Sequence, residues 1–440
     1  MDQTLQQEYG TSKPTWSVPF SIGVRGLRIL FSSTKDNVEL TRRFTDVPTR
    51  LPFSVGVLKI LIPRAKDCLR LSDLPKGVRL TPADRYDSAP ASIKAEWVYK
   101  KDLGRKLPVP RTRDRLVLYF HGGGYMFSSR KAHRNFTGAI CKASGCFVLS
   151  MDYRRSPEHP FPAALEDAIS SYLYLLNSGY SSLQIFIAGD SAGGGLAFSL
   201  LVWLRDNPEH PMPAGVIGLS PWIDLTLSHP SFFLNRPFDH LTGLVGDETT
   251  ARIRGKTHHY CESDDILHHP YVSPVYARSR FSDVDLPPIL VQVGKAELFR
   301  DESLSLFTRV FPNSNIRLEI FEDMCHVFQL LSTVEVFGKY SFLKVSDFIH
   351  TVASTGSVSR QCVEYIKGGA GVEDIEEHVI LDPASILDEG RREVESLLSS
   401  RVDLSSILPQ VPEGMYIGQQ ELAPVIREIV YEKEEILLFS

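Results

Sequence analysis

The segment Gly189-Asp190-Ser191-Ala192-Gly193 constrains this chain more than any other. A strand-like run, Gln184-Ile185-Phe186-Ile187-Ala188, leads into it, and a small-residue, helix-compatible run over 194–204 leads out. G-x-S-x-G between a strand and a helix is a nucleophile elbow. Its serine sits on a strained turn, and neighbours without side chains let strand and helix pass close together. A helix that starts just after Ser191 aims its free N–H groups at developing negative charge.

The rest of the chain repeats the rhythm of that unit. Short continuous apolar runs at 116–120, 146–151, 215–219, 289–293 and 316–321 read as buried strands. Helical stretches fall at 131–144, 163–177, 301–311 and 334–354. Alternating strands and helices predict an α/β fold, a mostly parallel central sheet with helices on both faces. The rhythm breaks over 223–286, which is rich in His, Asp, Arg and aromatic residues and reads as an insertion forming a lid.

Three regions follow. Residues 1–75 read as a helical, partly irregular leader contributing to a cap, 76–355 as the catalytic domain, and 356–440 as an appended extension. Gly368-Gly369-Ala370-Gly371 looks like a linker, and 371–440 carries sixteen Asp/Glu against five Lys/Arg, the mark of a solvated or partner-binding face. In the leader, the apolar stretches 16–32 and 51–63 read as amphipathic helices covering a pocket. A membrane-surface anchor is the other reading, and the second stretch is too short to span a bilayer.

Composition closes off some classes. A 440-residue chain with 43% hydrophobic and 23% charged residues has material for a sizeable core. A net charge of −5 gives no polyanion footprint, which argues against nucleic acid as a partner. Cys68, Cys141, Cys146, Cys261, Cys325 and Cys362 lack C-x-x-C or zinc spacing and read as reduced, packed thiols, so no metal is expected. The polar, acidic start is no signal peptide and the end, Leu437-Leu438-Phe439-Ser440, no peroxisomal address. The default placement is cytoplasmic.

Ester hydrolysis needs a nucleophile, a base, a group that orients the base, and donors for an oxyanion. Ser191 is the candidate nucleophile. His326 follows the 316–321 strand, in the loop from which an imidazole can reach over the sheet edge to the serine, and its neutral-range titration suits proton exchange. For the acid, Glu297 follows the 289–293 strand, with Asp301 the runner-up; Asp301 and Glu302 suit the start of the next helix. His121-Gly122-Gly123-Gly124 follows a buried strand, and its glycines let backbone N–H groups face a carbonyl oxygen. Gly122 and Gly123, with the N–H of Ala192, are the candidate oxyanion donors. Without a Lys-Ser/Thr pair the glycines do not form a P-loop.

Together, His121-Gly122-Gly123-Gly124, Ser156-Pro157-Glu158-His159-Pro160-Phe161-Pro162-Ala163-Ala164, Gly189-Asp190-Ser191-Ala192-Gly193-Gly194, Ser220-Pro221-Trp222, Glu297-Leu298-Phe299-Arg300-Asp301-Glu302 and Met324-Cys325-His326-Val327-Phe328 resemble the hormone-sensitive-lipase-like family of α/β-hydrolases over roughly 75–350. The resemblance implies a carboxylesterase acting on small or medium-chain esters through an acyl-enzyme, without a cofactor. It implies a cap from N-terminal helices plus the segment after the sixth strand, and Ser191, Glu297 and His326 as the triad. The family commonly carries Asp where Glu297 stands, and 356–440 has no recognised counterpart.

Two rival functions share these motifs. One is a hydrolase or acyl-transferring enzyme of secondary metabolism, separated only by how dry the pocket is. The other is a ligand-binding receptor: plant gibberellin receptors are similar to this family but lack the catalytic histidine, and His326 is present here. The lid aromatics Phe232, Phe233, Phe238 and Tyr260 read mostly as packing. The oligomeric state is not legible, and a homodimer stays open.

Overall fold

The computed structural model describes residues 13, 15–34, 37–65, 69, 91–101, 109–245, 259–261, 263–277, 286–310, 315–333, 335–358, 362–367, 375–380 and 383–399. Ten strands follow in chain order: β1 Val55–Pro63, β2 Ser92–Lys100, β3 Leu116–Phe120, β4 Phe147–Met151, β5 Ile185–Asp190, β6 Gly215–Leu219, β7 Ile289–Gly294, β8 Ile316–Phe321, β9 Cys362–Lys367 and β10 Glu376–Ile380. The helices are α1 Val18–Thr34, α2 Val38–Thr45, α3 Arg134–Ser144, α4 Ala163–Asn177, α5 Ala192–Asp206, α6 Ser231–Leu234, α7 Thr242–Val245, α8 Arg300–Ser305, α9 Val336–Thr355 and α10 Pro383–Ser399.

The strands form one sheet in the order β1-β2-β4-β3-β5-β6-β7-β8-β9-β10. Pairing is parallel from β4 through β9 and antiparallel where β1 meets β2, β2 meets β4 and β9 meets β10. The central strands are apolar at consecutive positions because both faces are covered. On β3, Leu116, Leu118 and Phe120 pack with α4 and α5, while Val117 and Tyr119 pack with α3 and α9. The C-terminal ends of β3, β5, β6, β7 and β8 lie side by side, so the loops that follow them meet along one edge, where such sheets place ligands.

Both ends of the chain differ from the sequence reading. Residues 51–63, expected to be helical, contain β1, which pairs antiparallel with β2 along its whole length. Val55-Gly-Val-Leu-Lys-Ile-Leu-Ile-Pro is apolar without a period of two, so the pattern alone did not mark a strand; Pro63 ends it, as suits a sheet margin. Beyond 355, β9 adds a parallel strand beside β8, and β10 and α10 follow. Val363 and Ile366 are fully buried, while Glu364 pairs with Lys344 of α9 at 3.0 Å. The linker-like 368–371 and residues 400–440 lie outside the described residues.

The 223–286 insertion contributes α6, α7 and short helical turns, and no strand among its described residues. The five described cysteines other than Cys68, which lies outside the described residues, are free thiols. Among the described residues no helix is long and apolar enough to cross a membrane.

Candidate active site

Ser191 stands between β5 and α5 with φ +52° and ψ −123°. That strained backbone persists because the surroundings over-determine it. The Ser191 amide donates to the Leu219 carbonyl at 2.9 Å, and its own carbonyl accepts from Trp222 and Gly195, each at 2.9 Å. A Cβ on Gly193 would come within 2.1 Å of the Phe120 carbonyl oxygen, so only glycine lets α5 start so close to β3.

The structure brings His326 to this serine. The loop after β8 sets its Nε2 2.9 Å from Ser191 Oγ. On the other side of the ring, Nδ1 faces Glu297 Oε1 at 3.5 Å, slightly longer than a good hydrogen bond, and neither atom has another hydrogen-bond partner among the described residues. Glu297 is fully buried, and its other oxygen accepts from Ser220 Oγ at 2.7 Å and the Gly294 amide at 2.8 Å.

Asp301, the alternative acid, lies elsewhere. Its carboxylate accepts from Arg300 Nε at 2.7 Å and the Ser231 amide at 2.8 Å, in the first turn of α8. It ties α8 to the insertion and does not meet His326.

The glycine loop corrects one expectation. The Gly122 amide already donates to Asp190 Oδ1 at 3.0 Å, so it is not available to an oxyanion. Asp190, the variable residue of the elbow motif, also accepts from Tyr119 at 2.7 Å and lies 3.1 Å from His133 Nε2. Burial works against its charge, but His133 and the hydrogen bonds from His133 and Tyr119 hold the carboxyl below its usual range. The amides of Gly123, Gly124 and Ala192 make no hydrogen bond among the described residues. Gly123 has φ +117°, and a Cβ there would strike the Phe127 carbonyl at 2.1 Å. His121 is forced neutral, its titration lowered to about 3 by burial, with Nδ1 2.8 Å from the Gly122 carbonyl. That acceptor assigns the proton to Nδ1.

The sequence reading gave Ser220 no role. Its hydroxyl donates to Glu297 and accepts from the Val327 amide at 3.0 Å, so one side chain joins the acid to the residue after the histidine. Its place just after β6 was the available signal.

A second Asp-His-Ser series lies nearby. Asp224 Oδ2 is 2.9 Å from His229 Nδ1, and His229 Nε2 is 2.9 Å from Ser305 Oγ. Ser305 is buried inside α8 with no glycine loop beside it, so the series fastens the insertion to α8. With Glu302 these groups could surround a cation. Asp224 already accepts from Thr226, Ser228 and His229, however, and burial beside Asp224 pushes the Glu302 carboxyl well up, towards its neutral form.

The sequence model of a family described as alpha/beta hydrolase fold matches residues 117–330. An acetyl-hydrolase of Streptomyces hygroscopicus is 34% identical over 264 residues, covering 60% of this chain and 81% of that protein. The chain belongs to the hormone-sensitive-lipase-like family of α/β-hydrolases. An esterase of Acinetobacter venetianus is 31% identical over 56% of this chain and 78% of its own length. The crystal structure of an esterase from the bacterial hormone-sensitive lipase family superposes with a TM-score of 0.56 at 28% identity, covering 77% of this chain and 99% of that one. As a member of this family the chain is a serine ester hydrolase. These two relatives align with 60% and 56% of this chain, whose sheet continues through β9 and β10.

Proposed function

We propose that this hydrolase cleaves small and medium-chain carboxylic esters through a Ser191-His326-Glu297 triad and an acyl-enzyme. The observation that carries the reading is the 2.9 Å contact of Ser191 Oγ with His326 Nε2 on a strained elbow. Ser191 Oγ attacks the ester carbonyl carbon as its proton passes to His326 Nε2. The amides of Gly123, Gly124 and Ala192 receive the oxyanion, while Glu297 steadies the imidazolium through Nδ1. His326 then protonates the departing alkoxide. Water attacks the acyl-enzyme with His326 again as base, the carboxylic acid leaves, and Ser191 regains its proton.

Aromatic groups crowd the centre and support the limit on acyl length. Phe299 meets the His326 ring edge-on at 4.9 Å, Trp222 stacks on Phe299 at 5.8 Å, and Tyr125 of the glycine loop stacks on Tyr260 of the insertion at 3.7 Å. In this reading α1 and the insertion together form the cap; Arg28 Nη1 of α1 donates to the Arg236 and Pro237 carbonyls at 3.1 and 3.3 Å.

The test is hydrolysis of p-nitrophenyl esters from acetate to palmitate by the wild type and by Ser191→Ala. Turnover that peaks at short or medium chains and vanishes in the variant is expected. A Ser191→Ala protein that still turns over, or a preference for palmitate, overturns the reading.

A further inference from the structure

Asp239 is a fully buried carboxylate in the insertion that the triad does not use. Its Oδ2 accepts the amide of Leu298, the residue after Glu297, at 2.8 Å, and its Oδ1 accepts the Leu241 amide at 3.0 Å. The same short segment grips the acid loop elsewhere. Asn235 Nδ2 donates to the carbonyls of Glu297 at 2.8 Å and Lys295 at 3.2 Å. Ser231 Oγ donates to the Leu298 carbonyl at 2.7 Å and accepts the Asp301 amide at 3.0 Å. Residues 231–239 therefore form a strap across the loop that carries the acid, and α1 holds the strap through Arg28.

We propose that Asp239 is a positioning residue for His326. Its carboxylate fixes the acid loop through the Leu298 amide and adds a second negative charge near the imidazolium formed in turnover. This rests on the Ser191-His326-Glu297 reading.

The electrostatics fit that role. Burial pushes the Asp239 carboxyl up to about 6, opposed by His326 and reinforced by Glu297. The other groups facing it are Arg28 on α1 and the Cys325 thiol beside His326, with His240 adjacent on its own segment. Burial, His326 and Arg28 lower His240 to about 3, and its ring lies 6.0 Å from that of His326. His240 is thus neutral in the working range, and Asp239 and Glu297 are the anions available to the imidazolium.

The experiment compares Asp239→Asn, Asp239→Ser and Asn235→Ala with wild type on p-nitrophenyl acetate, with folding followed by thermal melts. Asp239→Asn should lower kcat roughly tenfold with little change in KM. It should also move the acid limb of kcat/KM to lower pH by about one unit, because the imidazolium loses an anion. The pH dependence of Ser191 labelling by diisopropyl fluorophosphate should shift alike. Asn235→Ala weakens the strap without removing charge, so its kcat should fall with the acid limb unmoved. An Asp239→Asn acid limb that coincides with wild type overturns the proposal, as does an unchanged kcat. If neither Asp239 variant folds, the wild-type limb decides: protons on Asp239 and His326 oppose each other, which makes it shallower than a single-proton curve, and a single-proton curve overturns the proposal. Glu297→Ala is measured alongside. Wild-type activity there sinks the triad reading; an inactive Glu297→Ala beside an unaltered Asp239→Asn sinks only the role of Asp239.

Discussion

The Asp190 carboxylate accepts the Gly122 amide at 3.0 Å, so the residue before Ser191 splints the glycine loop. Elbow and glycine loop are thereby one hydrogen-bonded unit, although 68 residues separate their partners. The contact also shows why Gly122 cannot have a Cβ: it would lie 2.3 Å from Asp190 Oδ2.

Asp190→Ala leaves the Tyr119 hydroxyl, the Gly122 amide and His133 without their shared acceptor in a buried site. A cost of about 3 kcal/mol or more is expected, with a fall in kcat as the loop loosens. Asp190→Asn keeps an acceptor and should cost less. Because the folded carboxyl titrates below its usual range, its contribution is complete above the unfolded carboxyl's value, near pH ~4. It is lost as pH falls through the lower folded value. Urea melts over an acidic pH series should therefore show a shallower acid decline for Asp190→Asn than for wild type.

Ser220→Ala removes the bridge between Glu297 and the Val327 amide. The buried Val327 amide loses its acceptor and Glu297 Oε2 keeps only the Gly294 amide, at about 1–3 kcal/mol. Because these partners orient the acid and the histidine, kcat should fall by roughly ten- to a hundredfold with KM little changed. Steady-state kinetics and a thermal melt check both parts. A normal kcat in a destabilised protein would restrict Ser220 to a packing role.

Glu297→Ala and Asp301→Ala should separate chemistry from scaffolding. Loss of Glu297 removes the carboxylate that faces His326 Nδ1 at 3.5 Å, and kcat should drop on the order of a thousandfold. Loss of Asp301 removes the carboxylate that Arg300 Nε and the Ser231 amide donate to, so the melting temperature should fall while kcat drops far less. Kinetics and melts on both variants decide between them; equal kcat losses would contradict the geometry.

The sequence made the elbow, the glycine loop and the loop histidine legible because strained backbone and close approach demand particular residues at fixed offsets. Gly193 and Gly189 admit nothing larger, and central strands such as Leu116–Phe120 are continuous apolar runs. That the Gly122 amide is already taken was not legible, because the Asp190–Gly122 bond is a tertiary contact with no local signal. Asp239 and Ser220 escaped for the same reason: their partners lie 59 and 77 residues away. At the margins the sheet is less apolar and less regular. β1 showed no clean alternation, and the acidic composition of 371–440 hid the short strand β10.

The chain beyond β9 supports the acid loop as well. Helix α10 packs on α8 and α6, the two helices that flank Glu297 and the strap. Leu387 of α10 is buried with the main core, and Gly390 fits where a Cβ would lie 3.4 Å from Pro230 and 3.5 Å from Asp301 Oδ2. A chain ending at Leu381 keeps β9 and β10 but uncovers that contact. Losing the burial of Leu387 alone should cost about 1.5–3 kcal/mol, lowering the melting temperature. Because α8 and α6 would then lose that packing, kcat should fall as well. Leu387→Ala, which keeps the helix, should move both quantities in the same direction by less. A truncated enzyme with wild-type kcat and melting temperature would show that α10 contributes nothing to the acid loop.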